Sequence, residues 1–124
     1  MTDAPPAGEP GDLARLTALI REFSVERDWE QFHDPKSLVL ALVGEVGELA
    51  ELVQWLPAGD AAAHFADPER RRRAGEEIAD VLVYLLRLAD VLGVDVLAAT
   101  LDKQAEARRR FPVDAVRGVA PRKD

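Results

Sequence analysis

Six carboxylates fall in two short blocks: Glu45, Glu48 and Glu51 in the first, Glu76, Glu77 and Asp80 in the second. Apolar residues recur at three- and four-residue intervals around both, which places each block on a helix. At about 100° per residue, positions three apart lie about 60° apart around a helix. Glu45 with Glu48, and Glu77 with Asp80, therefore each offer two carboxylates to one point beside their helix. If the two helices pack side by side, four acids converge in a partly enclosed pocket, where repulsion and desolvation are severe without a cation. An oxygen-only donor set, with no nearby cysteine or paired histidine, favours Mg²⁺ or Mn²⁺ over Zn²⁺. The same acids can also be read as solvated charges on amphipathic helices, and spacing alone leaves both readings open. Gly44 and Gly47 bracket Glu45. Each costs about 1 kcal/mol relative to alanine inside a helix, so either something approaches the backbone there or two helices pack closely.

Four predicted helices position these residues. Asp12 caps a first, with Leu13, Leu16, Ile20 and Phe23 at helical spacing, reaching roughly to Asp28. Asp34 followed by Pro35 opens a second, which Pro57 to Asp60 closes. Asp67 and Pro68 repeat the start signal for a third, which runs to about Leu92 and stops at Gly93. Asp95 caps a fourth, extending towards Arg110 and ended by Pro112. The second helix carries one continuous stripe, Val39, Leu42, Val46, Leu49, Val53 and Leu56, which is the spacing of a bundle. On the third, Ile78, Val81, Leu82, Val83, Leu85, Leu86, Leu88, Val91 and Leu92 cover more circumference than one small core can bury, which implies a subunit interface. Strand alternation, internal repeats and a glycine-rich phosphate loop are absent from the sequence. The expectation is an all-α, oligomeric four-helix bundle occupying 12–112, between flexible tails at 1–11 and 113–124.

A carboxylate-bridged di-iron bundle would need two Glu-x-x-His motifs on facing helices. Only Glu30 with His33 has that spacing, and His64 has no glutamate three residues before it. The chain of 124 residues fits one domain and one site. Sixteen Lys and Arg stand against 23 Asp and Glu, a net charge of −7 that argues against a nucleic-acid partner. With no cysteines, disulfides and thiolate metal sites are excluded and the redox compartment is left open. Residues 1–12 do not read as a signal peptide, and the apolar runs at 38–43 and 81–86 are far shorter than the ~20 residues of a membrane span. The expectation is a soluble, cytoplasmic protein.

Several motifs carry a resemblance. The segment Glu26-Arg27-Asp28-Trp29-Glu30-Gln31-Phe32-His33, the run from Leu40 to Leu52 with Gly44-Glu45-Val46-Gly47-Glu48, the pair Gln54-Trp55, the run from Glu76 to Leu85, and Arg108-Arg109-Arg110-Phe111-Pro112 together resemble the eukaryotic-type dCTP pyrophosphatases. These belong to the all-α MazG-like nucleoside triphosphate pyrophosphohydrolases. The Glu-x-x-Glu and Glu-x-x-Asp elements are shared by that whole superfamily, whereas Trp-Glu-Gln-Phe-His is much narrower. The resemblance covers nearly all of 12–112.

It implies hydrolysis of a nucleoside triphosphate, preferably dCTP or a 5-modified relative, to the monophosphate and pyrophosphate, with Glu45, Glu48, Glu77 and Asp80 matching the family's magnesium ligands. It also implies a homotetramer with sites built from more than one subunit. Trp29, Trp55 and Tyr84 match positions of the nucleotide pocket; Tyr84 lies one turn after Asp80, and core packing is the other reading of these rings. Lys103 and Arg109, within the run 108–110, are candidates to meet the triphosphate. Two positions depart from the pattern, Ile20 where the family has histidine and Ala107 where it has asparagine. Losing two polar partners leaves broad triphosphate hydrolysis as an alternative. A non-catalytic helical oligomerisation module is a third reading, which accounts for the apolar stripes but not for the acids and rings occurring together.

Overall fold

The computed structural model describes residues 8–121. Among them the order is α1 (Asp12–Glu26), a 3-10 turn (Glu30–Phe32), α2 (Pro35–Glu51), a second 3-10 turn (Ala58–Asp60), α3 (Ala61–His64), α4 (Pro68–Leu92), α5 (Val96–Arg110) and α6 (Val113–Val116). No strand occurs among the described residues. The all-α expectation therefore holds, with the four long predicted helices realised as α1, α2, α4 and α5. The described chain divides after Gly93 into two compact units.

In the first unit α2 packs along α4 and α1 lies against α4. Among the described residues Leu38 of α2 and Leu86 of α4 are the fully buried apolar side chains, each 1% exposed. Local chemistry sets the starts of the helices. The Asp34 carboxylate accepts from the Ser37 backbone N–H at 2.9 Å and from its hydroxyl at 2.6 Å, with Pro35 next in the chain, so α2 begins with a donor satisfied and a preset φ. Asp67 does the same for α4 through Arg70 N–H at 3.0 Å, again followed by proline. Gly93 ends α4 in the left-handed region at φ 70°, where a side chain would clash with its own backbone.

Three details differ from the expectation. Gly11, not Asp12, caps α1; Asp12 is its first helical residue and makes no capping bond. That helix ends at Glu26, two residues early, because Asp28 takes φ 54° to turn the chain. The helix α2 ends at Glu51 rather than beside Pro57, and the stretch after it tightens into turns closed by Val53 N–H to Ala50 at 3.1 Å and Leu56 N–H to Val53 at 2.9 Å. The apolar stripe thus outlasts the helix, and Pro57, which offers no N–H and disfavours helical geometry in Leu56, keeps the chain from resuming it. The short α3 gave no periodic signal because four residues span little more than one turn.

The second unit holds α5 and α6. Asp95 caps α5 through Ala98 N–H at 3.0 Å, and the helix ends after Arg110, as expected. The expected tails at 1–11 and 113–124 fall partly outside the described residues, and 113–116 form the single turn α6. Among the described residues no helix is long and apolar enough to cross a membrane.

Candidate functional site

The packing of α2 on α4 brings the two carboxylate pairs together. One carboxylate oxygen from each of Glu45, Glu48, Glu77 and Asp80 lies within 4.8 Å of the others. Glu45 and Glu77 form the half-buried side of the cluster, Glu48 and Asp80 the exposed side. Burial pushes the Glu45 carboxyl above the usual range, reinforced by Glu48, Asp80 and Glu77. Burial raises Glu77 likewise, with Glu48 and Asp80 adding repulsion and Arg73 partly offsetting it. One oxygen on each, Glu45 Oε2 and Glu77 Oε2, is buried without a hydrogen-bond partner. A buried acceptor with no donor is costly, and a cation at the centre of the cluster would satisfy both. An all-carboxylate donor set with two such orphaned oxygens suits a hard divalent cation.

The other two acids stand apart from this group. Glu76 pairs with Arg72, which also pairs with Glu69. Glu51, the last residue of α2, is not part of the cluster. A Cβ at Gly44 or Gly47 would meet nothing within 4 Å, so close packing within the described chain does not explain either glycine.

The predicted aromatic residues occupy three separate elements. Trp29 lies in the turn after α1, its backbone N–H donating to Ser24 at 2.9 Å and its ring meeting Phe23 edge-on at 5.6 Å between centroids. Trp55 lies in the turns after α2 and is 87% exposed, so it is not a core residue of the chain. Tyr84 is half-buried on α4, one turn beyond Asp80. Among the described residues the three rings do not pack on one another. In the second unit, Lys103 pairs with Glu106 at 3.3 Å, and Arg109 stands in the last turn of α5 with Arg108 and Arg110.

Sequence reasoning missed a buried polar network at the far end of α4. Arg87, with 6% of its side chain exposed, donates from Nε to His33 Nδ1 at 2.9 Å and from Nη1 to Asp90 at 2.8 Å, and lies 3.5 Å from Glu30. Arg21 of α1 grips the same Asp90, with its Nε 2.9 Å from Oδ2 and its Nη2 on Oδ1. The arginines hold the Asp90 carboxyl below its usual range, Arg21 foremost and burial opposing. A signal existed: Arg87 is a lone charge between Leu85, Leu86 and Leu88. His33 Nδ1 is thus committed to Arg87, and the pair Glu30 and His33 faces a guanidinium rather than a metal.

Comparison with known proteins adds a further finding. The family model for the MazG nucleotide pyrophosphohydrolase domain matches residues 33–112. The dCTP pyrophosphatase 1 of Bos taurus is 50% identical over 109 residues, covering 88% of this chain and 63% of the bovine protein. The Homo sapiens dCTP pyrophosphatase 1 is 50% identical over 106 residues, covering 86% and 61%. The chain therefore spans under two thirds of the length of these relatives. A crystal structure of a pyrophosphatase from Archaeoglobus fulgidus matches with a TM-score of 0.77 at 33% identity, covering 87% of this chain and 99% of that one.

Proposed function

Because this chain belongs to the MazG nucleotide pyrophosphohydrolase family, we propose that it hydrolyses a nucleoside triphosphate to the monophosphate and pyrophosphate, preferring dCTP or a 5-modified dCTP. The observation that carries this reading is the convergence of Glu45, Glu48, Glu77 and Asp80. Two relatives at 50% identity named dCTP pyrophosphatase 1 support the choice of base. We place the catalytic domain at 12–112, in a cytoplasmic house-cleaning enzyme acting on the nucleotide pool.

The four carboxylates would hold Mg²⁺, or Mn²⁺ in its place. Such an ion, when bound, neutralises phosphate oxygens and lowers the pKa of a water. The protein's own part is to fix the direction of approach. Glu45 and Glu77 form the enclosed wall and Glu48 and Asp80 the open rim, so a triphosphate enters from the rim. One carboxylate of the cluster takes the proton of the water that attacks the α-phosphorus, and the bond to the pyrophosphate leaving group breaks. Trp29, Trp55 and Tyr84 are assigned to the base and sugar, and Lys103 and Arg109 to the triphosphate. Trp55, at 87% exposure, is free to meet a nucleotide or a second subunit. We assign a homotetramer with sites shared between subunits.

Release of pyrophosphate from a panel of nucleoside triphosphates, with and without Mg²⁺, tests the proposal. The expected result is Mg²⁺-dependent turnover with kcat/KM for dCTP above that for dATP and dGTP by about 10- to 200-fold, the range apolar pockets achieve. Trp55→Ala should lower kcat/KM for dCTP while leaving Mg²⁺ affinity in place. Ile20 and Ala107, which replace polar residues of the resembled pattern, favour a second reading as a broad-specificity hydrolase. Equal kcat/KM for the three substrates would select it; no turnover of any of them would overturn the enzyme assignment.

A further inference from the structure

The helix that supplies Glu77 and Asp80 also reaches, through Arg87, into the segment that carries Trp29. That segment turns sharply between α1 and α2. Asp28 sits at φ 54°, its backbone carbonyl and its carboxylate both accept from the Gln31 amide, and Trp29 hangs from buried Ser24. None of these contacts ties the segment to α4. Arg87 does, through His33 Nδ1 at 2.9 Å and Glu30 at 3.5 Å, a link across 54 residues of chain.

We propose that Arg87 and His33 form a proton-sensitive clamp that positions Trp29 relative to α4, closed while the imidazole is neutral and released when it is protonated. The chemistry follows from the donor and the acceptor. The Arg87 Nε–H can only donate, so His33 must present an unprotonated Nδ1 and carry its single proton on Nε2. A second proton removes the acceptor and sets two cations in contact. The charged groups around His33 are Arg87 and, through it, Asp90 from α4, Arg21 from α1 through Asp90, and Glu30 from its own segment. The Asp34 carboxylate next in the chain is occupied by Ser37. Burial and Arg87 hold the imidazole below its usual 6.5, with Glu30 opposing, so the clamp is closed at neutral pH and opens in acid. Arg87 and His33 are positioning residues here. The inference rests on the assignment of Trp29 to the nucleotide pocket only where it concerns catalysis; the clamp itself can be read without substrate.

The test uses a Trp55→Phe background, which leaves Trp29 as the sole tryptophan of the chain. Acrylamide quenching of its fluorescence is followed from about pH 8 to about pH 5, spanning the histidine range. Quenching should rise in acid with a midpoint below 6.5. The His33→Asn variant keeps an acceptor oxygen that does not titrate, and should quench weakly at every pH. The His33→Leu variant has no acceptor and should quench strongly at every pH. With both tryptophans present, KM for dCTP should rise in acid several-fold more in the wild type than in His33→Asn, with kcat following one profile in both. An acid transition that persists in His33→Asn, or no transition in the parent, would overturn the clamp. If the transition follows His33 while Trp29→Ala leaves KM unchanged, the clamp stands and the pocket assignment of Trp29 fails.

Discussion

At the residue scale, four carboxylates gathered in one cluster repel one another, so under the proposed metal role activity and stability should respond in opposite ways. Removing one proposed ligand by Glu48→Ala or Asp80→Ala should lower turnover by about 100-fold or more, since the loss would disturb both charge neutralisation and water placement. In EDTA the melting temperature of these variants should stay at or above that of the parent; near-parental activity would show the site to be elsewhere. Glu77 gives a pH-dependent version of the argument. Its folded pKa is raised from 4.5, so its favourable contribution is present below that value and is lost as pH rises through the folded one. At neutral pH the ionised carboxylate destabilises the metal-free fold. Glu77→Gln should accordingly melt higher than the parent in EDTA at about pH 7.5, with the difference closing as pH falls towards the unfolded value. A difference that is constant with pH would mean that packing, not ionisation, separates the two proteins.

At the scale of elements, α4 decides most of what the site needs, because it carries half of the cluster, Tyr84 and the buried Arg87. Its two ends are set by single residues. Asp67→Ala removes the acceptor for Arg70 N–H, and Gly93→Ala forces a Cβ into the left-handed region at φ 70°. Each should cost about 1 kcal/mol in chemical unfolding, without a change of secondary structure. The Mg²⁺ dependence of activity should be unchanged in both, since neither residue reaches the carboxylates. A loss well below that for Gly93→Ala would mean the chain relaxes out of the left-handed turn.

At the scale of the whole molecule, the apolar surface exceeds what the described chain covers. Among the described residues Leu38 and Leu86 are the fully buried apolar side chains, while Leu40, Val43 and Ile78, on α2 and α4, are more than half exposed. Open space beside Gly44 and Gly47 lies on the same helix as two of these. Exposed apolar side chains on both helices of the carboxylate cluster fit the proposed subunit interface. Light scattering or sedimentation at micromolar concentration should give an oligomer, a tetramer by our assignment. A well-behaved monomer would defeat this expectation.

What the sequence determined by itself was local. Asp34-Pro35, Asp67-Pro68, Asp95 and Gly93 marked the helix ends because capping and φ preferences act within about four residues. The pairing of Glu45 with Glu48, and of Glu77 with Asp80, was legible for the same reason, since helical periodicity alone puts residues three apart on one face. Tertiary structure decided whether the two pairs would meet and which oxygens would be buried without partners. It also decided the partners of Arg87, whose bond to His33 spans 54 residues. Such contacts depend on which face of α4 turns towards α1 and α2, and an apolar helix with a stripe this broad leaves several faces open until packing selects one.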